Sequence, residues 1–199
     1  MNWHLLIGIL AGIIQLAGTV PYVKDILRPG GTRPNVVSWS LWLVLQLVAI
    51  WIQVTSAGGI SWSVLYMVAT ALVMGLIVVL CLRGYGSKQF GLVEKICIPL
   101  AILAIACYVM TRNGALSLVF DIAAYMVADA PTIFKTWRDP RSEAAFPWMI
   151  ATIAAALGAL SSTIMTPENL ALPIYLVIGN GLIAAFAFFG QRRKSKSVA

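Results

Sequence analysis

Charge is what this chain has least of: 11% of its 199 residues are Asp, Glu, Lys or Arg, and the acids number 7 in all. Soluble domains carry about a quarter of their residues charged, so this composition excludes a water-soluble core. Histidine occurs once, as His4 at the rim of the first apolar run. A single imidazole without a ligand partner excludes the usual zinc clusters, and no metal is expected. Cys81, Cys97 and Cys107 lie inside apolar stretches without CxxC spacing, so they are expected to pack rather than to form disulfides or redox pairs. The chain also lacks an HExxH helix, a nucleophile beside a base and a cluster of carboxylates. These absences argue against an enzyme, and no cofactor is expected. The last apolar run, ALPIYLVIGNGLIAAFAFFG, has no lysine and therefore no residue for a retinal Schiff base.

Apolar length is abundant: 60% of residues are hydrophobic and the mean hydropathy is +0.90. A bilayer core about 30 Å thick needs roughly 20 residues at 1.5 Å each. The sequence divides into such runs at 4–27, 36–55, 63–83, 91–111, 116–137, 145–164 and 169–190. Between them stand RPGGTRPN, TSAGGIS, RGYGSKQ, TRNG, RDPRSEA and TPEN, whose Gly, Pro, Asn and charges end helices. The expected fold class is an all-α integral membrane protein with seven transmembrane helices. The opening MNWHLLIGILAG lacks a basic stretch before its apolar run, so the first helix is expected to be retained rather than cleaved.

The net charge of +7 raises the question of nucleic acid, but the basic residues sit in short gaps rather than on one amphipathic face. No nucleic-acid partner is expected; the bilayer is. Lys24, Arg28, Arg33, Arg83, Lys88, Lys95, Lys135, Arg138, Arg141, Arg192, Arg193, Lys194 and Lys196 fall on one side of the expected topology, and Arg112 alone on the other. The positive-inside rule then places the N-terminus outside and the C-terminus in the cytoplasm.

The chain repeats itself. AGTVPYVKDILRPGGTRPNVVSWSLW closes the first run and opens the second, and VADAPTIFKTWRDPRSEAAFPWMI does the same for the fifth and sixth. Pro21 aligns with Pro131 and Arg28 with Arg138; with one residue removed from the first loop, Trp39 aligns with Trp148 and Tyr66 with Tyr175. Three helices is an odd number, so a connecting helix between the copies makes them run parallel. The expected organisation is repeat 1 at 1–83, an inner loop and linker helix at 84–112, repeat 2 at 113–190 and a basic tail at 191–199.

A proline seven residues before a basic residue, a short polar loop, then Ser or Trp opening the next helix, twice in a seven-span chain, resembles the PQ-loop superfamily. That superfamily includes the SWEET (MtN3/saliva-like) sugar transporters, their half-length bacterial relatives, lysosomal amino-acid exporters and, more distantly, nicotinamide riboside transporters. Tyr22 and Thr132 stand where the motif has its Gln. The resemblance implies a three-helix bundle per repeat, a solute pocket between the bundles near the midplane, alternating access by rocking, and a bacterial inner membrane as location.

Several residues are candidates for the work. Pro21 and Pro131 each remove a backbone hydrogen bond inside a helix and form a matched pair of hinges, although membrane helices also tolerate proline. Asp129 is a carboxylate within the fifth run, where burial is costly, and is expected to face a cavity as a proton-coupling group or a substrate acceptor; pairing with Lys135 is the structural alternative. Tyr125 and Asp121 share its helical face. Asp121 lies nearer the outer surface and is expected to be solvated.

Asn180 offers donors and an acceptor mid-helix and resembles the central Asn of SWEETs; its repeat partner is Ala71, beside Thr70. Trp51 resembles the Trp that stacks on sugar in that family, with interfacial anchoring as the alternative. Trp39, Trp42 and Trp148 are expected as interfacial anchors. Gln15, whose repeat counterpart is Tyr125, and Gln46 are midspan amides open to packing or substrate contact. The function expected is movement of a small polar solute, sugar-like first. The alternatives are proton-coupled transport of an amino acid or nucleoside-like solute, or a seven-helix receptor or accessory protein. A homo-oligomer is left open.

Overall fold

The structure is a computed structural model and describes residues 2–30, 33–56, 59–88, 91–140 and 143–196, with the side chains of Pro131, Lys135 and 191–196 set aside. The order is α1 (Trp3–Leu27), α2 (Val36–Thr55), α3 (Ser63–Leu80) running into a π turn (Cys81–Tyr85), α4 (Leu92–Thr111), α5 (Gly114–Arg138), α6 (Ala145–Leu160) and α7 (Pro167–Lys196). The fold is all-α, and six of these helices are long and apolar enough to cross a bilayer.

Their limits follow from local chemistry. Asn2, Asn35 and Asn113 accept from the backbone N–H of Leu5, Val37 and Leu116, satisfying donors that a helix start leaves free. Glu94 reaches back to the Gly91 N–H at 2.8 Å and closes the first turn of α4. Pro167 opens α7, where its missing N–H costs nothing. α1 continues unbroken through Pro21. Pro131 falls within α5, its side chain outside the described residues.

The sixth element departs from expectation. It was expected over 145–164 but ends at Leu160, and its 16 residues rise only about 24 Å. The serine-rich segment after it ends the helix. Ser161 Oγ donates to the Gly158 carbonyl, Ser162 Oγ to the Ile164 carbonyl, and the Thr163 N–H to Ser61 Oγ. Backbone groups that another helical turn would use are thereby occupied.

α1, α3, α5 and α7 all begin at one end, here called the start face. Space at Gly8 is bounded by Trp62, Leu65 and Ser161, and space at Gly114 by Ile52 and Glu168. α1 packs on α3 and α6; α2 on α3, α4 and α5; α5 on α4 and α7; and α6 on α7. The core between them is built from Leu45, Ala49, Ile52, Tyr66, Met67, Tyr108, Leu118, Tyr125, Ala154 and Leu172. Large apolar side chains such as Ile13, Leu72, Ile102, Val119 and Ile178 point outward, as lipid rather than water would favour.

Candidate functional site

Two seams cross the molecule, and they differ in chemistry. Where α1, α3 and α6 meet, Gly8, Ala11 and Gly12 are buried on α1 and Ala154, Ala155 and Gly158 on α6; Gly8, Gly12 and Gly158 face α3, and Gly18 faces α6. Small residues let helix backbones approach closely where no hydrophobic drive separates helix from lipid. A Cβ at Gly18 would collide with Ile150, and one at Gly158 would lie 2.6 Å from the Tyr66 ring. This seam is tight and largely apolar.

The α2/α5 seam is polar. Tyr125 on α5 is fully buried, and its hydroxyl reaches Gln46 Oε1 at 3.0 Å and the Trp42 carbonyl at 3.2 Å. Gln46 Nε2 in turn donates to the Met67 carbonyl of α3 at 3.2 Å. Gln46 therefore joins α3 to α5 by using both ends of its amide. Beside this chain, the Tyr175 ring lies 5.9 Å from that of Tyr125, and its hydroxyl donates to Asp129 Oδ2 at 2.6 Å.

At the start face, hydrogen bonds tie α2 to α3 and α7, and the loop after α2 to the loop after α6. Gln53 Nε2 donates to Asn169 Oδ1 at 2.5 Å and to Ser63 Oγ at 2.8 Å; Ser61 and Ser162 hydroxyls lie 2.9 Å apart. All five residues are buried. Nearby, Thr55 and Tyr108 hydroxyls pair at 2.6 Å.

At the opposite end a cleft of about 240 Å³ lies between α2, α4 and α5, lined by Ser38, Trp42, Glu94, Ala128 and Thr132 among others. Glu94 Oε1 accepts from Ser38 Oγ at 2.9 Å, and the Trp42 indole N–H has no partner among the described residues. Thr132, at the second motif position, lines this cleft. Tyr22, at the first, instead stacks on Trp39, which meets Trp42 edge-on. Trp39 and Trp42, expected as interfacial anchors, thus form an aromatic run from α1 into α2. Trp148 donates to Glu143 at 3.2 Å.

Not all candidates converge. Trp51 is half-buried and packs edge-on against Tyr108 of α4, ring centroids 4.9 Å apart. By helical rise it sits about 6 Å from the start face, whereas Asn180 lies about 20 Å in, so the two occupy different levels. Asn180 is half-buried on α7, next to Gly179, whose added Cβ would lie 3.3 Å from Asp129 Oδ2. Thr70 is buried with its hydroxyl on the Tyr66 carbonyl. Gln15 has a buried side-chain oxygen without a partner. The partner seen for Asp129 is Tyr175; Lys135's side chain lies outside the described residues.

Asp121 corrects the sequence reading. It was expected to be solvated near the outer surface, yet it is 0% exposed and neither carboxyl oxygen has a hydrogen-bond partner among the described residues. Counting residues from the helix end overlooks the neighbours that bury the start of α5, namely α2, α4 and α7. The hydrogen bonds at the start face were also missed: Ser61 and Asn169 stand in the breaks TSAGGIS and TPEN, and Ser162 falls inside the expected sixth run. Compared with known proteins, the chain matches no family model, no curated protein and no solved structure.

Proposed function

We propose that the chain is a transporter that moves a small polar solute, sugar-like first, along the α2/α5 seam, with the α1/α6 seam as the pivot. The observation that carries this reading is the contrast between the seams. One is filled by Gly and Ala, while the other buries Gln46, Tyr125 and Asp121. Polar side chains inside a membrane bundle are costly and mark solute or ion pathways. The cleft at Trp42 and Thr132 gives this path an opening at one end, and at the other the bundle is held together by the Gln53/Asn169 and Ser61/Ser162 pairs, which join α2 to α7 and the loop after α2 to the loop after α6.

The repeat layout belongs to the same reading. Exchanging α1 with α5, α2 with α6 and α3 with α7 turns the α1/α3 contact into α5/α7, α2/α3 into α6/α7 and α1/α6 into α5/α2. Each of these is present, and α4 alone lacks a counterpart. Such contacts suit seven spans in two parallel three-helix units with α4 as linker, the arrangement of the PQ-loop superfamily and SWEETs. We take the start face as outside, because Lys24, Arg28, Arg83 and Lys88 lie at the other end.

The carboxyls at Asp129 and Asp121 favour a second reading, proton-coupled transport of an amino acid or nucleoside-like solute. Uptake of labelled sugars, amino acids and nucleosides into proteoliposomes, with and without a pH gradient, tests both. Saturable uptake that falls in Gln46→Ala is the expected result. Uptake of none would remove the transport reading in favour of a receptor or accessory role.

A further inference from the structure

Asp121 is a buried carboxyl on the face of α5 that carries Tyr125. It sits on α5 one helical turn before Tyr125, and its position in the repeat corresponds to Ala11, which is equally buried. The fold therefore accommodates a small apolar side chain at this level, and only the second copy places a carboxyl there. Neither of its oxygens receives a hydrogen bond among the described residues.

The titratable groups on the surrounding elements are committed elsewhere or lie far off. α2 carries none. On α4, Glu94 and Lys95 stand at the end opposite the start face, Cys97 donates to the Ala124 carbonyl, Cys107 contacts Thr111 and Tyr108 pairs with Thr55. On α7, Glu168 lies beside Gly114 and Tyr175 donates to Asp129. On α5 itself, Tyr125 is bonded to Gln46. No described cation faces Asp121, so an ionised carboxylate would be uncompensated in the packed molecule. A metal cation would need several ligands at once, and no group of three or more His, Cys, Asp or Glu side chains that could hold one occurs among the described residues. A proton needs only one.

We propose that Asp121 is a proton-binding site whose carboxyl holds an exchangeable proton in the packed state and releases it when the α2/α5 seam opens to water. On release the carboxyl O–H bond breaks and the proton passes to a water molecule; reloading reverses the step. The release half rests on the transport reading, since it needs the seam to part, whereas occupancy by a proton does not.

Infrared spectroscopy of the full chain in lipid nanodiscs tests occupancy without any solute. The carbonyl band of a protonated carboxylic acid should be present, should vanish in Asp121→Asn and in Asp121→Ala, and should persist in Asp129→Asn. Asp121→Ala guards against a folding failure, because Ala11 fills the equivalent place. The band should shift in heavy water, and more slowly once a Ser61→Cys/Ser162→Cys disulfide holds the start face shut. A band unaffected by either Asp121 variant, or one abolished by adding sodium, would overturn the proposal, as would its absence across the accessible pH range. If no solute is taken up in liposomes while the band behaves as expected, the transport reading fails and the proton site stands.

Discussion

The Tyr125 hydroxyl lies 3.0 Å from Gln46 Oε1, so that a side chain of α5 and a side chain of α2 satisfy one another in the middle of the polar seam. A buried acceptor left without its donor costs more than the net value of the bond that is lost, about 1–3 kcal/mol against roughly 1. Tyr125→Phe should therefore destabilise the protein by about 1–3 kcal/mol, because Gln46 Oε1 is orphaned. Adding Gln46→Leu should recover part of that loss by removing the stranded acceptor. Thermal unfolding of the two single variants and the double variant in detergent measures the coupling. Strict additivity would show that the pair does not interact.

The start face makes a different prediction. Ser61 and Ser162 hydroxyls are 2.9 Å apart and come from the loops that follow α2 and α6. With Cys81, Cys97 and Cys107 replaced by Ala, Ser61→Cys/Ser162→Cys should form a disulfide on oxidation. If this end must part for solute to pass, oxidation should stop uptake and reduction should restore it. Undiminished uptake by the fully oxidised protein would move the path away from this closure.

Much of the architecture was legible because bilayer thickness fixes helix length and Gly, Pro and charge fix the breaks. The expected runs 36–55 and 91–111 differ from α2 and α4 by at most one residue at an end. The site was less legible, because burial inside a bundle depends on which neighbour covers a helix face. Helical spacing put Asp121, Tyr125 and Asp129 on one face, but it could not show that Tyr125 meets α2, Asp129 meets α7 and Asp121 meets no hydrogen-bond donor. Trp51 and Asn180 were joined by family resemblance, and their depths separate them. Gln46 was visible as a midspan amide, and only packing revealed that it ties α3 to α5.

Glycines at the two kinds of position should respond with opposite signs. Gly158 faces the Tyr66 ring, where an added Cβ has no room, while Gly75 on α3 has nothing within 4 Å of that point. Gly158→Leu should force α6 away from α3 and cost about 1–3 kcal/mol or more, as in other overpacked cores. Gly75→Ala should be neutral or stabilising by up to about 1 kcal/mol, since Ala leaves the unfolded chain less conformational freedom to lose on folding than Gly does. Size-exclusion profiles and melting temperatures of the two variants check the contrast, and equal behaviour would contradict the packing of α6 on α3.

Asp129 and Tyr175 define the last test. The 2.6 Å hydrogen bond from the Tyr175 hydroxyl holds one carboxyl oxygen against α7, beside Gly179 and one residue from Asn180. Asp129→Asn keeps an oxygen to accept from Tyr175 but removes the charge, whereas Tyr175→Phe keeps the charge and removes the donor. If Asp129 couples solute movement to protons, Asp129→Asn should abolish accumulation driven by a pH gradient while sparing solute exchange. Tyr175→Phe should weaken both without abolishing either, because the coupling group survives in a looser position. Counterflow measured beside gradient-driven uptake separates the two activities. Unchanged accumulation in Asp129→Asn would remove it from coupling and leave the Asp129–Tyr175 pair as an α5/α7 clasp.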